Sequence, residues 1–412
     1  MSDPASPAAG STSAPSPASA GAEGPPAPSP ASAGAEGPSA QAPVLPGYGG
    51  SALSDLPGSL LAALGLPGPN SLGLEPADRV CLFVVDGLGA DLLLAHADRA
   101  PFLASTARRT LSAGFPATTV TSLCSLGTGL SPGEHGMVGM VLAVPGAGHL
   151  FNCLRWTLPG GMRMDPLQWQ PAPTVYQRAT AAGVPASYVG PGQFEGSGLT
   201  DAVYRGARYL PADTVDERVA AVAGALAEPR AHVTVYYGDL DSTGHLCGWG
   251  SPEWLDQLAI VDSMAERLAA ALPPGSALYI TADHGMVNAT EKIDAETDPV
   301  LTPGVAMVGG DARARHVYTA PGAAGEVLAA WRARLDGLAW VVSRQEAVDS
   351  GWFGPRVRSS WLGRIGDVIA VPYADVAVIA SRSGKLEAIF TGYHGSMTAL
   401  EQNVPLLEVS TT

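Results

Sequence analysis

The feature that most limits the fold of this chain is a series of short, continuously apolar runs separated by stretches with helical spacing. Strands that are apolar on both faces need cover on both faces. The alternation therefore predicts an α/β fold with a mostly parallel sheet between layers of helices. The runs that we interpret as strands are 79–86, 186–190, 232–241, 276–283, 316–320, 375–381 and 386–394.

The stretch 252–272 gives the clearest helix prediction. Ser251 can cap the helix, Pro252 suits its first position, and large apolar residues then recur every three or four positions. The sequence "PPG" at 273–275 ends the pattern. We therefore expect one long amphipathic helix between two of the strands.

Residues 1–43 differ in composition from the rest of the chain, because Pro, Ala, Ser and Gly make up most of them. The twelve letters "APSPASAGAEGP" occur at 14–25 and again at 27–38. Such a segment has too few large apolar side chains to offset the entropy lost on ordering, which predicts a disordered tail. Residues 44–412 have the composition of a folded domain.

The charge balance limits the partners that this protein can bind. Acidic residues outnumber basic ones 38 to 23, giving a formal charge of -15, so nucleic acid and anionic membranes are poor partners. No apolar run reaches the roughly 18 residues that a membrane-spanning helix needs. The first residues lack the pattern of a secretory signal, so we expect a cytoplasmic protein.

Potential metal ligands follow four of the predicted strands, at the point where each run ends. In open parallel sheets, ligands bind beyond the carboxyl ends of the strands, so side chains distant in sequence can converge there on one crevice. The residues concerned are Asp86, Asp241, Asp283 with the adjacent His284, and His394.

Each of these residues also has an ordinary structural interpretation. An Asp after a strand often forms a turn or caps a helix. Asp241 and His245, four residues apart in "DSTGH", could form a plain hydrogen bond instead of a metal-binding pair. Three Asp and three His together, without cysteines, favour two divalent ions, with zinc as the expected metal. Two ions ~4 Å apart would stabilise the attacking and the leaving oxygen of an in-line displacement.

With these residues in place, the chain resembles the alkaline-phosphatase-like superfamily, most closely its nucleotide pyrophosphatase/phosphodiesterase family. The matching motifs, in the order of the family, are "VVDGLGADLL" (84–93), "FPATTVTSLCSLGTGLSPGEHGMVG" (115–139), "DLDSTGH" (239–245), "TADHGM" (281–286) and "GYHGS" (392–396). The resemblance implies an α/β/α sandwich around a mostly parallel sheet, with a smaller α+β subdomain inserted at about 287–385. It also implies that 44–412 is a catalytic domain acting on a small phosphate ester or nucleotide.

The resemblance also assigns roles to individual residues. It implies that one metal ion is bound by Asp86, Thr119, Asp283 and His284, and the other by Asp241, His245 and His394. Asp239 is an alternative to Asp241, but only Asp241 has the D-x-x-G-H spacing.

The nucleophile implied by the resemblance is Thr119, four places after the Phe of "FP" in "FPATTVTSL". Coordination to a divalent ion would activate its hydroxyl. If Val120 to Leu126 form a helix, the free N–H groups at its start would face the phosphate oxygens.

One position of the chain differs from the pattern of the family, and this difference leaves the substrate class of the hydrolase open. Ser122 stands where the phosphodiesterase branch usually has an asparagine that donates a hydrogen bond to phosphate. The first hypothesis is a two-zinc phosphohydrolase that cleaves phosphodiester or nucleotide pyrophosphate bonds through a phosphothreonine intermediate. The alternatives are a phosphomonoesterase or phosphonate hydrolase of the same superfamily, and a non-catalytic binding relative. Trp249 and Tyr393 could stack on a base or pack in the core.

Overall fold

The computed structural model of the protein describes residues 42–411. The predicted tail at 1–43, with its repeat, therefore lies outside the described residues except for its last two positions. The strands in the described part are β1 (Arg79–Val85), β2 (Arg108–Ser112), β3 (Val141–Ala143), β4 (Leu150–Asn152), β5 (Ala186–Gly190), β6 (Arg208–Pro211), β7 (Ala231–Tyr237), β8 (Ser276–Ala282), β9 (Val287–Asn288), β10 (Glu291–Asp294), β11 (Val305–Asp311), β12 (Ala314–Thr319), β13 (Ala339–Ser343), β14 (Val368–Pro372), β15 (Val376–Ile379), β16 (Gly392–Tyr393) and β17 (Asn403–Ser410).

Helices connect most of these strands. The α-helices in the described residues are α1 (Leu56–Ala63), α2 (Ala90–Ala95), α3 (Pro101–Ser105), α4 (Thr119–Thr128), α5 (Pro132–His135), α6 (Pro166–Trp169), α7 (Val175–Ala181), α8 (Gly198–Val203), α9 (Val215–Ala225), α10 (Asp239–Cys247), α11 (Pro252–Ala270), α12 (Ala324–Arg334), α13 (Arg344–Asp349) and α14 (Ala399–Gln402). Short 3₁₀ turns occupy Leu53–Asp55, Pro159–Gly161, Gly192–Phe194, Ser359–Arg364 and Lys385–Ala388. Within this part of the chain, no helix is long and apolar enough to span a membrane.

The main sheet has seven strands in the order β2-β17-β8-β1-β7-β5-β6. The five strands from β8 to β6 pair in parallel, and β17 pairs antiparallel with both of its neighbours. The central strands β1, β7 and β8 are buried along almost their whole length, as continuously apolar runs predict. The predicted α/β fold with a mostly parallel sheet is confirmed.

Helix α11 agrees closely with its prediction. The Ser251 side chain accepts a hydrogen bond from the Trp254 backbone N–H at 3.2 Å, and Pro252 is the first helical residue. Its apolar face, which includes Trp254, Leu258 and Val261, is fully buried. The helix follows β7 and α10 and leads back to β8, so it is part of a crossover between two parallel strands.

A smaller antiparallel sheet has the strand order β11-β12-β14-β13. It lies within the stretch 287–385, where the inserted subdomain is expected, and has its own apolar cluster around the buried Trp331. Buried Arg313, between β11 and β12, forms an ion pair with Glu401 of α14, with Nε and Oε1 2.8 Å apart. The small sheet is therefore joined to the end of the chain that forms β17.

Two strand predictions need correction. The run 386–394 is not one strand, because the Tyr393 hydroxyl donates to the Glu387 carbonyl oxygen and folds the segment into a turn. Residues 238–241 belong to α10 rather than to β7, since Gly238 is the N-cap of that helix. Of the seven strands in the main sheet, β2, β6 and β17 were not predicted. Pro405 argues against a strand at 403–410, but it pairs only with β2, and the pairing of β17 with β8 begins at Leu406.

Candidate metal centre

The candidate site lies at the carboxyl edge of the three central strands of the main sheet. Asp86 directly follows β1, and Asp283 directly follows β8. Asp241 occupies the first turn of α10, the helix that begins two residues after β7. Because β8, β1 and β7 are neighbours, these three carboxylates converge although they are far apart in sequence.

The first group of potential ligands consists of Asp86, Asp283 and His284, and all three are buried. One ligand atom from each residue lies within 4.8 Å of the others. His284 Nε2 is 3.4 Å from Asp86 Oδ1 and 3.6 Å from Asp283 Oδ2. The hydroxyl of Thr119, the first residue of α4, is 3.2 Å from the same His284 Nε2.

The second group consists of Asp241, His245 and His394, with the same spread of at most 4.8 Å between ligand atoms. Asp241 and His245 are one turn apart on α10, and Asp241 Oδ2 lies 3.3 Å from His245 Nε2. His394 Nε2 is 4.0 Å from Asp241 Oδ1. The helix thus presents a carboxylate and an imidazole on one face, and the loop after β16 adds the third side chain.

The three histidines are oriented in the same way. A ring nitrogen that faces a carbonyl oxygen must donate to it, so the other nitrogen is left as a lone-pair donor for a metal ion. The Nδ1 contacts are His245 to Gly392 O at 2.8 Å, His284 to Gly285 O at 3.0 Å, and His394 to Ala117 O at 3.0 Å. All three Nε2 atoms therefore face the carboxylates as potential ligands.

Each of the three carboxylates has one buried oxygen without a hydrogen-bond partner among the described residues. These oxygens are Asp86 Oδ1, Asp241 Oδ1 and Asp283 Oδ2. The other Asp283 oxygen accepts from the backbone N–H groups of Gly87 and His284. Buried polar atoms are normally paired, so three convergent orphan oxygens fit bound cations.

The charges in the site lead to the same conclusion. Burial, together with Asp283 and Asp241, raises the pKa of Asp86 well above its ordinary value. Burial also raises the pKa of Asp283. Burial acts in the same direction on Asp241, but His245 outweighs it and the pKa of Asp241 is lowered. Buried carboxylates this close destabilise one another unless positive charge is added, and divalent cations would supply it.

Helix α4 carries Thr119 into the site. Gly129, which has a positive φ of 72°, ends the helix in the left-handed conformation that favours glycine. Ser122 lies on the first turn and is completely buried, and its hydroxyl has no hydrogen-bond partner among the described residues. The helix therefore places one hydroxyl beside the first ligand group and a second, unpaired one close behind it.

Two residues next to the site were not found by sequence reasoning. The Tyr236 hydroxyl donates a hydrogen bond to Asp86 Oδ2, and the buried Asp311 carboxylate accepts from the Thr118 hydroxyl at 2.9 Å. Tyr236 is one of several aromatic residues in β7, and Asp311 belongs to the small sheet. No spacing rule connects either position to the potential ligands.

Of the two interpretations of Tyr393, stacking on a base or packing in the core, the structure supports the second, because the side chain is buried.

A family model matches most of this chain. Residues 80–397, well over half of the chain, match the family model described as type I phosphodiesterase / nucleotide pyrophosphatase. A comparison with curated proteins found no match.

Solved structures show the same fold. Murine ectonucleotide pyrophosphatase/phosphodiesterase 5 is 19% identical with a TM-score of 0.63, covering 79% of this chain and 87% of that one. Its human counterpart is 20% identical with a TM-score of 0.62, covering 80% and 87%. Phosphonoacetate hydrolase from Sinorhizobium meliloti 1021, solved with phosphonoformate, is 20% identical with a TM-score of 0.63, covering 82% and 91%. On the strength of the family match, this chain belongs to the type I phosphodiesterase / nucleotide pyrophosphatase family.

Proposed function

We propose that this protein is a two-zinc phosphohydrolase that cleaves phosphodiester or nucleotide pyrophosphate bonds, with Thr119 as the nucleophile. The observation that carries the proposal is the position of the Thr119 hydroxyl. It lies 3.2 Å from His284 Nε2, at the start of a ten-residue helix and beside a buried group of potential ligands. The second ligand group adjoins the first through the stacked rings of His284 and His394.

Two sets of side chains would hold the metal ions. Asp86, Asp283, His284 and the Thr119 hydroxyl would bind one ion, and Asp241, His245 and His394 would bind the other. The donor set of carboxylate and imidazole groups, with no cysteine among them, suits zinc in a catalytic site. When bound, the ions would lower the pKa of the threonine hydroxyl and offset the charge that develops on the departing oxygen.

In the first half of the proposed reaction, the Thr119 hydroxyl releases its proton to solvent water, and its oxygen forms a bond to phosphorus. The bond from phosphorus to the leaving group breaks, and the leaving group departs with the electron pair. The backbone N–H groups at the start of α4 bind the non-bridging oxygens, which carry more negative charge in the transition state. In the second half, water attacks the phosphothreonine, releases the phosphoryl product and restores the Thr119 hydroxyl.

The family supports a nucleotide or a related small phosphate ester as the substrate. The murine relative in an inactive form has been solved in complex with AMP. The formal charge of -15 on this chain favours a small substrate that enters the buried site over a nucleic acid polymer, which the protein surface would repel.

A phosphonate hydrolase is the second candidate. Phosphonoacetate hydrolase is among the proteins with a similar fold. The more direct reason is Ser122, whose buried and unpaired hydroxyl brings one donor to a position where the phosphodiesterase branch usually has the longer asparagine. Compared with asparagine, serine leaves more room beside the phosphoryl group and offers it fewer hydrogen bonds. Both differences weaken the preference for a diester substrate.

A substrate panel tests these proposals. The purified protein, with and without added zinc, is given a dinucleotide, a nucleoside triphosphate, a phosphonate and a diester and monoester of the same chromogenic alcohol. We expect the highest kcat/KM for the diester or the triphosphate, and loss of activity with a chelator. If the phosphonate is the best substrate, the second candidate is correct. If no compound is hydrolysed by the zinc-loaded protein, both are wrong.

A matched pair of variants tests the metal assignment independently of activity. Asp241→Asn removes a potential ligand, whereas Asp239→Asn changes an exposed carboxylate two residues earlier on the same helix. We expect the first variant to lose about one equivalent of bound zinc per chain and the second to keep the wild-type content. Equal zinc content in the two variants would contradict the assignment.

A further inference from the structure

The threonine that precedes the proposed nucleophile does not cap its helix. Thr118 is the N-cap residue of α4, a position where a threonine hydroxyl usually accepts a hydrogen bond from a backbone N–H two or three residues on. No such bond is present here. Instead, the hydroxyl donates to Asp311 Oδ1 at 2.9 Å, and both residues are buried.

Asp311 is held in place from two sides. It is the last residue of β11 in the small sheet and follows Gly310, whose positive φ of 76° turns the chain just before it. Its second oxygen, Oδ2, accepts from the Met140 backbone N–H at 3.2 Å. A carboxylate can accept both bonds at once, which fixes its orientation towards Thr118.

Because the Thr118 hydroxyl bonds to Asp311, the backbone N–H groups at the start of α4 keep no hydrogen-bond partner within the described part of the chain. The first hydrogen bond of the helix runs from the Ser122 N–H to the Thr118 carbonyl oxygen. Among the described residues, the N–H groups of Thr119, Val120 and Thr121 have no partner. The Ser122 hydroxyl in the same turn is likewise buried and unpaired. Several unsatisfied donors beside one hydroxyl are the arrangement expected where an anion binds.

We propose that Asp311 is a positioning residue for phosphoryl binding. By bonding the Thr118 hydroxyl, it keeps that oxygen away from the N–H groups of Val120 and Thr121, so that these groups bind the non-bridging oxygens of the substrate. This inference rests on the proposed function. It assigns to the small sheet a role in preparing the site, although none of the proposed metal ligands belongs to that sheet.

The test compares Asp311→Ala, Thr118→Val and the double variant, all as zinc-loaded protein. Inorganic phosphate is the probe, and its inhibition constant is measured against the best chromogenic substrate. In Asp311→Ala the released hydroxyl can cap the helix and compete with phosphate, so we expect the inhibition constant to rise about tenfold. In the double variant no hydroxyl remains to compete, so phosphate affinity should recover to near the value of Thr118→Val alone.

The effect of adding Thr118→Val to Asp311→Ala separates a positioning role of Asp311 from a purely structural one. If Asp311 only stabilises the fold, removing the Thr118 hydroxyl cannot restore the phosphate affinity that Asp311→Ala has lost. A double variant that binds phosphate no better than Asp311→Ala would therefore overturn the proposal. So would a Thr118→Val variant as impaired as Asp311→Ala. Should Asp311→Ala fail to fold, Asp311→Leu allows the same comparison, because leucine has the branching of aspartate but neither accepts nor donates a hydrogen bond.

A crystal structure of Asp311→Ala provides a readout that does not depend on the proposed function. We expect Thr118 Oγ1 to move within hydrogen-bond distance of the Val120 or Thr121 nitrogen. If the wild-type protein hydrolyses nothing in the panel but this movement occurs, the proposed function is wrong while the role of Asp311 in controlling the cap stands. If activity is present and Thr118 does not move, only the present inference is wrong.

Discussion

The imidazole rings of His284 and His394 stack face to face, with centroids 3.7 Å apart and planes inclined by 15°. His284 belongs to one group of potential ligands and His394 to the other, so this contact places the two groups side by side. Two rings this close cannot both carry a positive charge without strong repulsion. Burial and His284 lower the pKa of His394 well below its ordinary value, which keeps its ring neutral and available to bind a metal ion.

The replacement Thr119→Ala tests the nucleophile. If the Thr119 oxygen is the nucleophile, as proposed, removing it should lower kcat by at least about a thousandfold. Zinc content should stay close to that of the wild type, because six Asp and His ligands remain. Steady-state kinetics and metal analysis on the same preparation measure both effects.

Thr128→Ala is the matched control for this prediction. Thr128 is a buried threonine at the other end of α4. Its hydroxyl donates to the Cys124 carbonyl oxygen and accepts from the Leu130 backbone N–H at 3.3 Å, so it bonds to none of the proposed ligands. The same truncation there should leave kcat within about twofold of the wild type. Turnover near the wild-type rate in Thr119→Ala would show that another hydroxyl attacks.

Tyr236→Phe tests the support of the first ligand group. The variant removes the phenol that donates to Asp86 Oδ2, so Asp86 is less firmly oriented for a metal ion. Outer-shell hydrogen bonds of this kind commonly change metal affinity by about ten- to a hundredfold, and we expect weaker zinc binding in that range. Competition with a chromophoric chelator measures the dissociation constant.

The adjacent residue supplies the control for Tyr236. The Tyr237 hydroxyl donates to Gln257 Oε1 at 2.6 Å, and this bond contacts no proposed ligand. Tyr237→Phe should therefore bind zinc as the wild type does. Equal zinc affinity in both tyrosine variants would mean that Tyr236 does not support the site.

Much of the fold could be predicted because its central strands have a simple physical requirement. β1, β7 and β8 are covered on both faces, so each must be apolar throughout, and this pattern is visible in the sequence. Their carboxyl ends also mark where polar side chains collect. The positions of Asp86 and Asp283 directly after β1 and β8 follow from that rule alone.

The contacts that depend on the small sheet could not be predicted. Asp311 and Thr118 are 193 residues apart, and their hydrogen bond exists because β11 ends beside the start of α4. Local patterns carry no information on such a long-range pairing. The segment that carries His394 was misread for a different reason. Its apolar residues suggest a strand, whereas the Tyr393 hydroxyl donates to the Glu387 carbonyl oxygen six residues earlier and closes a turn.

His232 should make part of the stability of the protein depend on pH. Its ring is buried against Tyr176, and neither nitrogen has a hydrogen-bond partner among the described residues. Burial lowers the pKa of His232 from 6.5 to about 4. The unfolded chain therefore binds the proton first as the pH falls, so stability is lost between about pH 6.5 and 4, by up to about 3 kcal/mol.

The replacement His232→Phe keeps the stacked ring and removes this titration. The difference in the free energy of unfolding between variant and wild type, measured by urea denaturation from pH 7 to 4, should shift in favour of the variant as the pH falls. His135 and His316, whose pKa values burial lowers to about 3, contribute equally to both proteins and cancel in the difference. A difference that is constant across this range would contradict the prediction.

The replacement Ser122→Asn tests what sets the substrate preference. The longer amide brings two donors to a position where the wild type has one buried, unpaired hydroxyl, so a second hydrogen bond to a non-bridging oxygen becomes possible. We expect the ratio of kcat/KM for the chromogenic diester to that for the monoester to rise about tenfold. Ser125→Ala alters a buried serine one turn further on, whose hydroxyl is hydrogen-bonded to His135 Nε2, and should leave this ratio unchanged. An unchanged ratio in Ser122→Asn, with normal zinc content, would show that the preference is set elsewhere.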